Sequence, residues 1–473
     1  MNNKDFRQHA HALVDWMADY LENVEQYPVK STVKPYEIYQ QLPEQMPEQG
    51  EDFSTILEDF KQLILPGMTH WQHPNFHAYF PANSSYPSVL GEMLTATLGA
   101  QCMIWDTSPA AAELEERVLN WLKTAFHLPN TWEGVIQDTA STATLTALLS
   151  ARERCTQAQS NKIGIQGAPM RVYCSSETHS SIEKAVKIIG LGRDNLVKIE
   201  TTGHGCMNPL ALEKAIKADK AAGLRPMCVV AALGTTGTTA VDPLAPIAAI
   251  CQEQEIWLHL DAAFAGVALL LPEYRYLLEG MEQVDSFVTN AHKWLFTNFD
   301  CSLYYVKDRE SLLQTFEILP EYLKTASRGA VNDYRDWGVP LGRRFRALKL
   351  WFVLRAYGLE GIQERLRAHM QLAQTFAQWI EAAPDFERLA PVEFSLVCFH
   401  YKPAGNWTPQ QLAAINKALL ETLNQSGDVY LTHTKIQGHY ALRLVVAQTQ
   451  VALQHIEKAW ALIQYYARKS QQA

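Results

Sequence analysis

The sequence predicts an α/β protein: a large central domain on a mainly parallel sheet, an N-terminal helical segment and a small C-terminal α+β domain. Two observations predict it. From about Tyr86 to Ala356, short near-continuous apolar runs alternate with helical stretches, the pattern of buried parallel strands joined by crossover helices. "RPMCVVAAL" (Arg225 to Leu233) and "IWLHLD" (Ile256 to Asp261) are runs of the first kind, and "NPLALEKAIKADKAAG" is of the second. At 473 residues the chain is also too long for one ordinary domain, and the texture changes divide it at 1–85, 86–360 and 361–473.

Phe6, Ala10, Leu13, Met17 and Leu21 share one helical face, so the chain opens with an amphipathic helix. "QQLPEQMPEQGEDF" (Gln40 to Phe53) is a polar, proline-punctuated connection, and a second helix follows to about Leu65. Two helices and a linker make no core of their own, so this segment is expected to pack on something else. At the far end, "HYALRLVVA" (His439 to Ala447) reads as a strand, and Leu453, Ile456, Trp460 and Ile463 line a closing helix.

Composition narrows the class. Hydrophobic residues make up 47% and charged ones 19%, ample for a core, and a net charge of -9 argues against nucleic acid as a partner. The N-terminus lacks the apolar stretch of a signal peptide, and no run approaches the roughly 20 apolar residues of a membrane helix. The eight cysteines form no CxxC pair and read as reduced thiols of a cytoplasmic protein with no membrane partner.

The chemistry gathers at a few places. In "VDSFVTNAHKWLFTNFDC" (Val284 to Cys301) a lone lysine, Lys293, sits in an aromatic, apolar stretch. A lysine is costly to remove from water unless it is paired or has chemistry to do. "HLDAAFAG" (His259 to Gly266) ends a buried strand on Asp261 followed by small residues, which would let a flat ligand approach. Alone, Asp261 reads as a helix N-cap. "TASTAT" (Thr139 to Thr144) opens a helix whose N–H groups and hydroxyls suit a phosphate, although for the stretch alone plain capping is the favoured reading. "LGTTGTTAVDP" (Leu233 to Pro243) is a hydroxyl-rich turn, and "ETHSS" (Glu177 to Ser181) offers a histidine that could stack on a ring. "GLGRDN" at Gly190 lacks the third glycine of a dinucleotide fingerprint. An amine able to form a Schiff base, an acid to keep a pyridine nitrogen protonated and a phosphate cradle are together the parts of a pyridoxal 5'-phosphate (PLP) site.

With "NAHKW", "HLDAAFAG", "ETHSS", "HPNFHAYFP" and "WGVPLGRRFRALKLW" in this order, the sequence resembles the group II PLP-dependent decarboxylases, particularly the aromatic-L-amino-acid decarboxylases of DOPA, tryptophan and tyrosine type. The resemblance runs from the first helix to about Gly361 and thins beyond. It implies PLP-dependent transferase fold type I (aspartate-aminotransferase-like) and a homodimer whose N-terminal part wraps the partner. It implies that Lys293 carries the cofactor, that Asp261 faces the pyridine nitrogen, and that His179 and Ala263 lie on the two ring faces. Phosphate contacts would come from Ala140, Ser141, Asn290 and His292, with Thr236 near the cofactor and the substrate carboxylate. Tyr322, in "PEYLKTASRGAVNDYRDWG", matches the tyrosine that protonates the product carbon; aldehyde-forming relatives tend to carry phenylalanine there.

"THWQHPNFHAYFPANSSYP" (Thr69 to Pro87) holds three histidines at a spacing that suits no metal. The resemblance instead implies substrate recognition by Trp71, Tyr79, Phe80 and Pro81, with Met103, Ile104 and Gly342 at the rim and a partner subunit reaching in at Met103 and Ile104. A flat aromatic side chain fits that set. Three residues depart from the family pattern: Asp138 for glycine, Phe264 for tyrosine and Met103 for an aromatic residue. Asp138 is expected to turn away from the phosphate. The alternatives are a decarboxylase of another amino acid, such as histidine or glutamate, an aldehyde-forming enzyme, and a non-catalytic PLP-binding scaffold.

Overall fold

The computed structural model describes residues 1–318 and 329–469, in two compact units. One comprises residues 82–371 and 390–396; the other gathers 1–81, 372–389 and the chain from 397 onward.

The first unit is built on seven strands: β1 (Glu133–Gln137), β2 (Met170–Ser175), β3 (Leu196–Ile199), β4 (Arg225–Ala232), β5 (Trp257–Asp261), β6 (Ser286–Asn290) and β7 (Ser302–Val306). Their spatial order is β1-β7-β6-β5-β4-β2-β3. Neighbours from β6 to β3 run parallel, whereas β7 is antiparallel to both β6 and β1. Every residue of β5, β6 and β7 is buried, which is why their sequences are apolar without alternation. Helices Ala140–Thr156, Ser181–Ile188, Pro209–Ala221 and Leu244–Gln254 separate the strands in sequence. Trp257, Val288, Tyr304, Ala147 and Leu148 share one core cluster.

Two glycines allow the loops after β4 and β5 to close tightly. Gly234 has φ +92°, and a β-carbon there would lie 2.8 Å from the Ala265 side chain. At Gly266 a β-carbon would lie 2.8 Å from Thr289 of β6. The smallness of Gly266 in "HLDAAFAG" therefore serves packing within the sheet.

The second unit has a four-stranded sheet in the order β10-β11-β9-β8, from β8 (Phe386–Arg388), β9 (Leu396–Tyr401), β10 (Thr432–Ile436) and β11 (His439–Val445). Helices Pro409–Gln425 and Leu453–Lys469 accompany it. The opening helix spans Asn3–Glu22 behind an Asn2–Asp5 capping box, yet none of its residues is buried. Past a short helix at Glu37–Gln41, the helix Phe53–Asp59 loosens into a π-turn over Phe60–Ile64. The three histidines of the 69–87 stretch make local hydrogen bonds: His70 Nδ1 with the Tyr20 hydroxyl at 2.7 Å, His73 Nδ1 from the Asn75 N–H at 2.9 Å, and His77 Nδ1 to the Val445 carbonyl at 2.9 Å. Among the described residues no group of three His, Cys, Asp or Glu could hold a metal, and no helix is long and apolar enough to cross a membrane. All eight cysteines are free.

Burial depresses several histidines: His73, His77 and His259 to about 4, His292 and His369 to about 3. Their folded pKa values lie below the unfolded value of about 6.5, so on acidification the unfolded chain takes up protons first. Stability from these groups is complete above about pH 6.5 and declines toward pH 4, by at most about 1.4 kcal/mol per histidine per pH unit. Asp242, pushed up to about 6 by burial, returns part of it below pH 6. The urea midpoint is expected to fall between pH 7 and pH 5; a midpoint constant over that range would contradict this burial.

Candidate active site

Strand β6 runs directly into the short helix Ala291–Trp294, so Lys293 follows a strand end by three residues. Trp294 anchors that turn from below. Its ring stacks on Phe264 at 4.7 Å and 7°, and its indole N–H donates to His369 Nδ1 at 3.0 Å. Asn83, 210 residues earlier, clasps the same turn: its N–H donates to the His292 carbonyl at 2.9 Å and its side-chain amide to the Lys293 carbonyl. Burial lowers the pKa of the Lys293 amine, while Asp261 pulls it back up.

Asp261 is the last residue of β5, paired in register with Val288 of β6. It is buried, and its Oδ1 accepts the Ala263 N–H at 3.1 Å. The following turn of helix, Ala265–Leu270, takes Phe264 as its N-cap, so Asp261 does not have the capping role that its position alone suggested. Its charge acts instead on Lys293 and on His179.

His179 lies between β2 and the helix Ser181–Ile188 and is exposed. Its Nδ1 meets two groups of Ser181, the main-chain N–H at 3.1 Å and the hydroxyl at 2.9 Å. Desolvation lowers its pKa; Asp261 raises it, and Lys293 and Lys184 lower it. Lys293, Asp261 and His179 thus share one electrostatic field. His292 accepts the Cys301 N–H on Nδ1 at 2.9 Å and packs against the Phe299 ring at 4.8 Å. Asn290 accepts from the Ser302 hydroxyl, and its N–H donates to the Ala263 carbonyl at 3.0 Å.

Thr139 caps the helix Ala140–Thr156, accepting the Thr142 N–H at 3.4 Å. The N–H groups of Ala140 and Ser141 sit in the first turn, where a helix offers donors without internal acceptors. Asp138 is turned onto its neighbour, accepting from the Thr139 N–H and, at 3.3 Å, its hydroxyl. Thr236 is exposed in the β4 loop, which Thr235 closes by donating its N–H to the Ala240 carbonyl at 2.8 Å.

The substrate candidates divide between the units. Trp71, Tyr79, Phe80 and Pro81 belong to the second unit, where Trp71 lies 6.0 Å from the Tyr79 ring and the Tyr79 and Tyr430 hydroxyls are 3.1 Å apart. The Arg443 guanidinium stands 5.3 Å over Phe80. Met103, Ile104 and Gly342 belong to the first unit and form one local assembly. The Met103 carbonyl accepts the Arg335 N–H at 2.9 Å, the Arg343 N–H donates to Gln101 Oε1 at 2.7 Å, and a β-carbon on Gly342 would lie 3.2 Å from Gln101 Nε2. Tyr322 lies outside the described residues.

A family model described as the pyridoxal-dependent decarboxylase conserved domain matches residues 35–402. The chain belongs to that family. Tyrosine decarboxylase 2 of Narcissus pseudonarcissus is 42% identical over 98% of this chain and 94% of its own length. Phenylacetaldehyde synthase of Arabidopsis thaliana is 41% identical over 98% and 96%. The crystal structure of Catharanthus roseus tryptophan decarboxylase in complex with L-tryptophan superposes with a TM-score of 0.93 at 39% identity, covering 99% of both chains. Similarity thus extends well past Gly361 to nearly the whole sequence.

The donor set of this pyridoxal-dependent decarboxylase fits its cofactor. An amine of lowered basicity, a buried carboxylate acting on it, two imidazoles and a helix N-terminus are the groups that an aromatic aldehyde phosphate needs. The fold is that of the type I PLP enzymes. Sequence reasoning missed Asn83, Ser181 and His369: each acts through a contact with a main-chain or ring nitrogen or a carbonyl, and none belongs to a periodic pattern.

Proposed function

We propose that this enzyme removes the carboxylate of an aromatic L-amino acid as CO2 and releases the corresponding amine, as the tyrosine and tryptophan decarboxylases it resembles are named for doing. The observation that carries the reading is the shared field of Lys293, Asp261 and His179 in a chain of this family. When bound, PLP supplies an electron sink for the pair left behind as CO2 departs.

The chain's own residues do the rest. Burial keeps a larger fraction of the Lys293 amine neutral and nucleophilic, the form that would hold the cofactor aldehyde. Asp261 would hold a proton on the ring nitrogen, and Ala263 would leave room for the ring opposite His179. Ala140, Ser141, Asn290 and His292 hold the phosphate, and Thr236 orients the carboxylate. Trp71, Tyr79, Phe80 and Pro81, with Met103, Ile104 and Gly342, recognise the side chain; aromatic and small residues favour a flat ring. Residues 1–85 serve dimerisation, 86–360 bind PLP and 361–473 form the small domain. The active enzyme is a cytoplasmic homodimer. Helix Tyr86–Leu98 supports the dimer: Tyr86, Leu90, Met93, Leu94 and Leu98 are all exposed on it.

Release of CO2 from Trp, Tyr, DOPA, Phe, His and Glu tests the reading. Turnover of the aromatic substrates above His and Glu is expected, whereas release from none of them would favour a PLP-binding scaffold. Because an aldehyde synthase is about as similar as a tyrosine decarboxylase, overall identity does not decide between amine and aldehyde. Tyr322 favours the amine. Tyr322→Phe should lower amine formation by roughly 10²-fold, the scale of one general acid, with aldehyde appearing in its place; an unchanged product mix would remove Tyr322 as the proton donor.

A further inference from the structure

We infer that Ser181 is a positioning residue for His179: its main-chain N–H and its hydroxyl together fix the imidazole as the neutral tautomer with the proton on Nε2. This rests on the reading above that His179 lies against the cofactor, and it names how the chain sets what that ring can offer.

The argument begins with the one in-plane lone pair of Nδ1. A main-chain N–H can only donate, and the one on Ser181 points at Nδ1 from 3.1 Å. Nδ1 is therefore an acceptor and carries no proton. The Ser181 hydroxyl, 2.9 Å from the same atom, must then donate as well. The donor is available because Ser181 opens the helix Ser181–Ile188, where the first N–H groups have no acceptor within the helix. Ser181 is buried, and the preceding turn is held by the Thr178 hydroxyl on the Ser175 carbonyl at 3.0 Å and by the Ile182 N–H on the His179 carbonyl at 3.2 Å. Rotating the ring away would leave both Ser181 donors without their partner.

Protonating Nδ1 would set an N–H against an N–H. The charged groups acting on the ring divide: Asp261 favours the imidazolium, while Lys293 and Lys184 oppose it. With Nδ1 occupied, the ring presents a single donor, Nε2–H, and no charge. His292 is arranged alike, its Nδ1 taken by the Cys301 N–H. His179 and His292 thus both offer neutral Nε2–H donors, and neither adds a second cation to the field around Lys293.

The experiment is a long-range ¹H–¹⁵N spectrum of histidine-labelled holoenzyme, with His179 assigned by its loss in His179→Gln. Expected are an unprotonated Nδ1 and a protonated Nε2 throughout pH 6–8. Ser181→Ala keeps the N–H but loses the hydroxyl. It should keep the tautomer, which the retained N–H still fixes, but raise the ring pKa and lower kcat about fivefold to tenfold, the worth of one hydrogen bond, with KM little changed; Ser181→Thr should restore both. A protonated Nδ1 in the wild type overturns the inference, as does Ser181→Ala with ring pKa and pH profile both unchanged. Should Ser181→Ala not fold, the wild-type spectrum and Ser181→Thr still decide. Failure of the underlying reading looks different: the tautomer would be as expected, but adding PLP would leave the His179 resonances unmoved.

Discussion

Lys293→Ala is expected to abolish amine formation, by on the order of 10⁴-fold or more, because on the proposed reading it removes the covalent anchor for the cofactor. The purified variant should also lack the visible absorbance that borohydride bleaches in the wild type. Lys293→Arg separates amine chemistry from charge. It keeps a cation at the end of the turn, but a guanidinium stays protonated and is no nucleophile at neutral pH. The arginine variant should be as inactive as the alanine variant. The fold should survive both changes, since the turn is held by Trp294, His369 and Asn83 through groups other than the lysine amine. Substantial CO2 release by either variant would end the assignment of Lys293.

Asp261→Asn should lower kcat by roughly 10²-fold to 10³-fold, a loss on the scale of a preorganised charge in a dry site. The amide keeps the size and can still accept the Ala263 N–H, but it cannot hold a proton on a ring nitrogen by charge. A second effect has a definite sign. Asp261 raises the pKa of both Lys293 and His179, so removing its charge lets both fall further. The acidic limb of the pH profile should therefore move to lower pH as the maximum drops. Retention of PLP through dialysis and the pH dependence of kcat/KM are the measurements. Equal rates for variant and wild type would return Asp261 to a structural role.

How much of this was legible in the sequence depends on the range of each interaction. Strands β4 and β5 were readable because a strand covered on both faces must be continuously apolar, and that signal is local. Lys293 was readable because a lysine among buried aromatics contradicts its own hydration. Asp261 was half-readable: its place at a strand end was clear, whereas its release from capping depends on Phe264 taking the N-cap. The departures at Asp138 and Phe264 became intelligible only in three dimensions, as a carboxylate folded onto Thr139 and a ring stacked under Trp294. The weak "GLGRDN" is a turn with Gly190 and Gly192 at φ +83° and +85°. Asn83 left no trace in the sequence, since nothing local records a partner 210 residues away.

The sheet order has a consequence for how the enzyme is made. Among the described residues β1 pairs with β7 alone, from Glu133↔Val306 to Gln137↔Ser302, and β7 also closes the edge of β6. On the ribosome β1 emerges long before β7, so it waits unpaired through the synthesis of every other strand of its sheet. Asn83 waits as long for Lys293. The seven-stranded sheet therefore cannot be completed until β7 has been made, and β1 stays unpaired while β2 to β6 are synthesised.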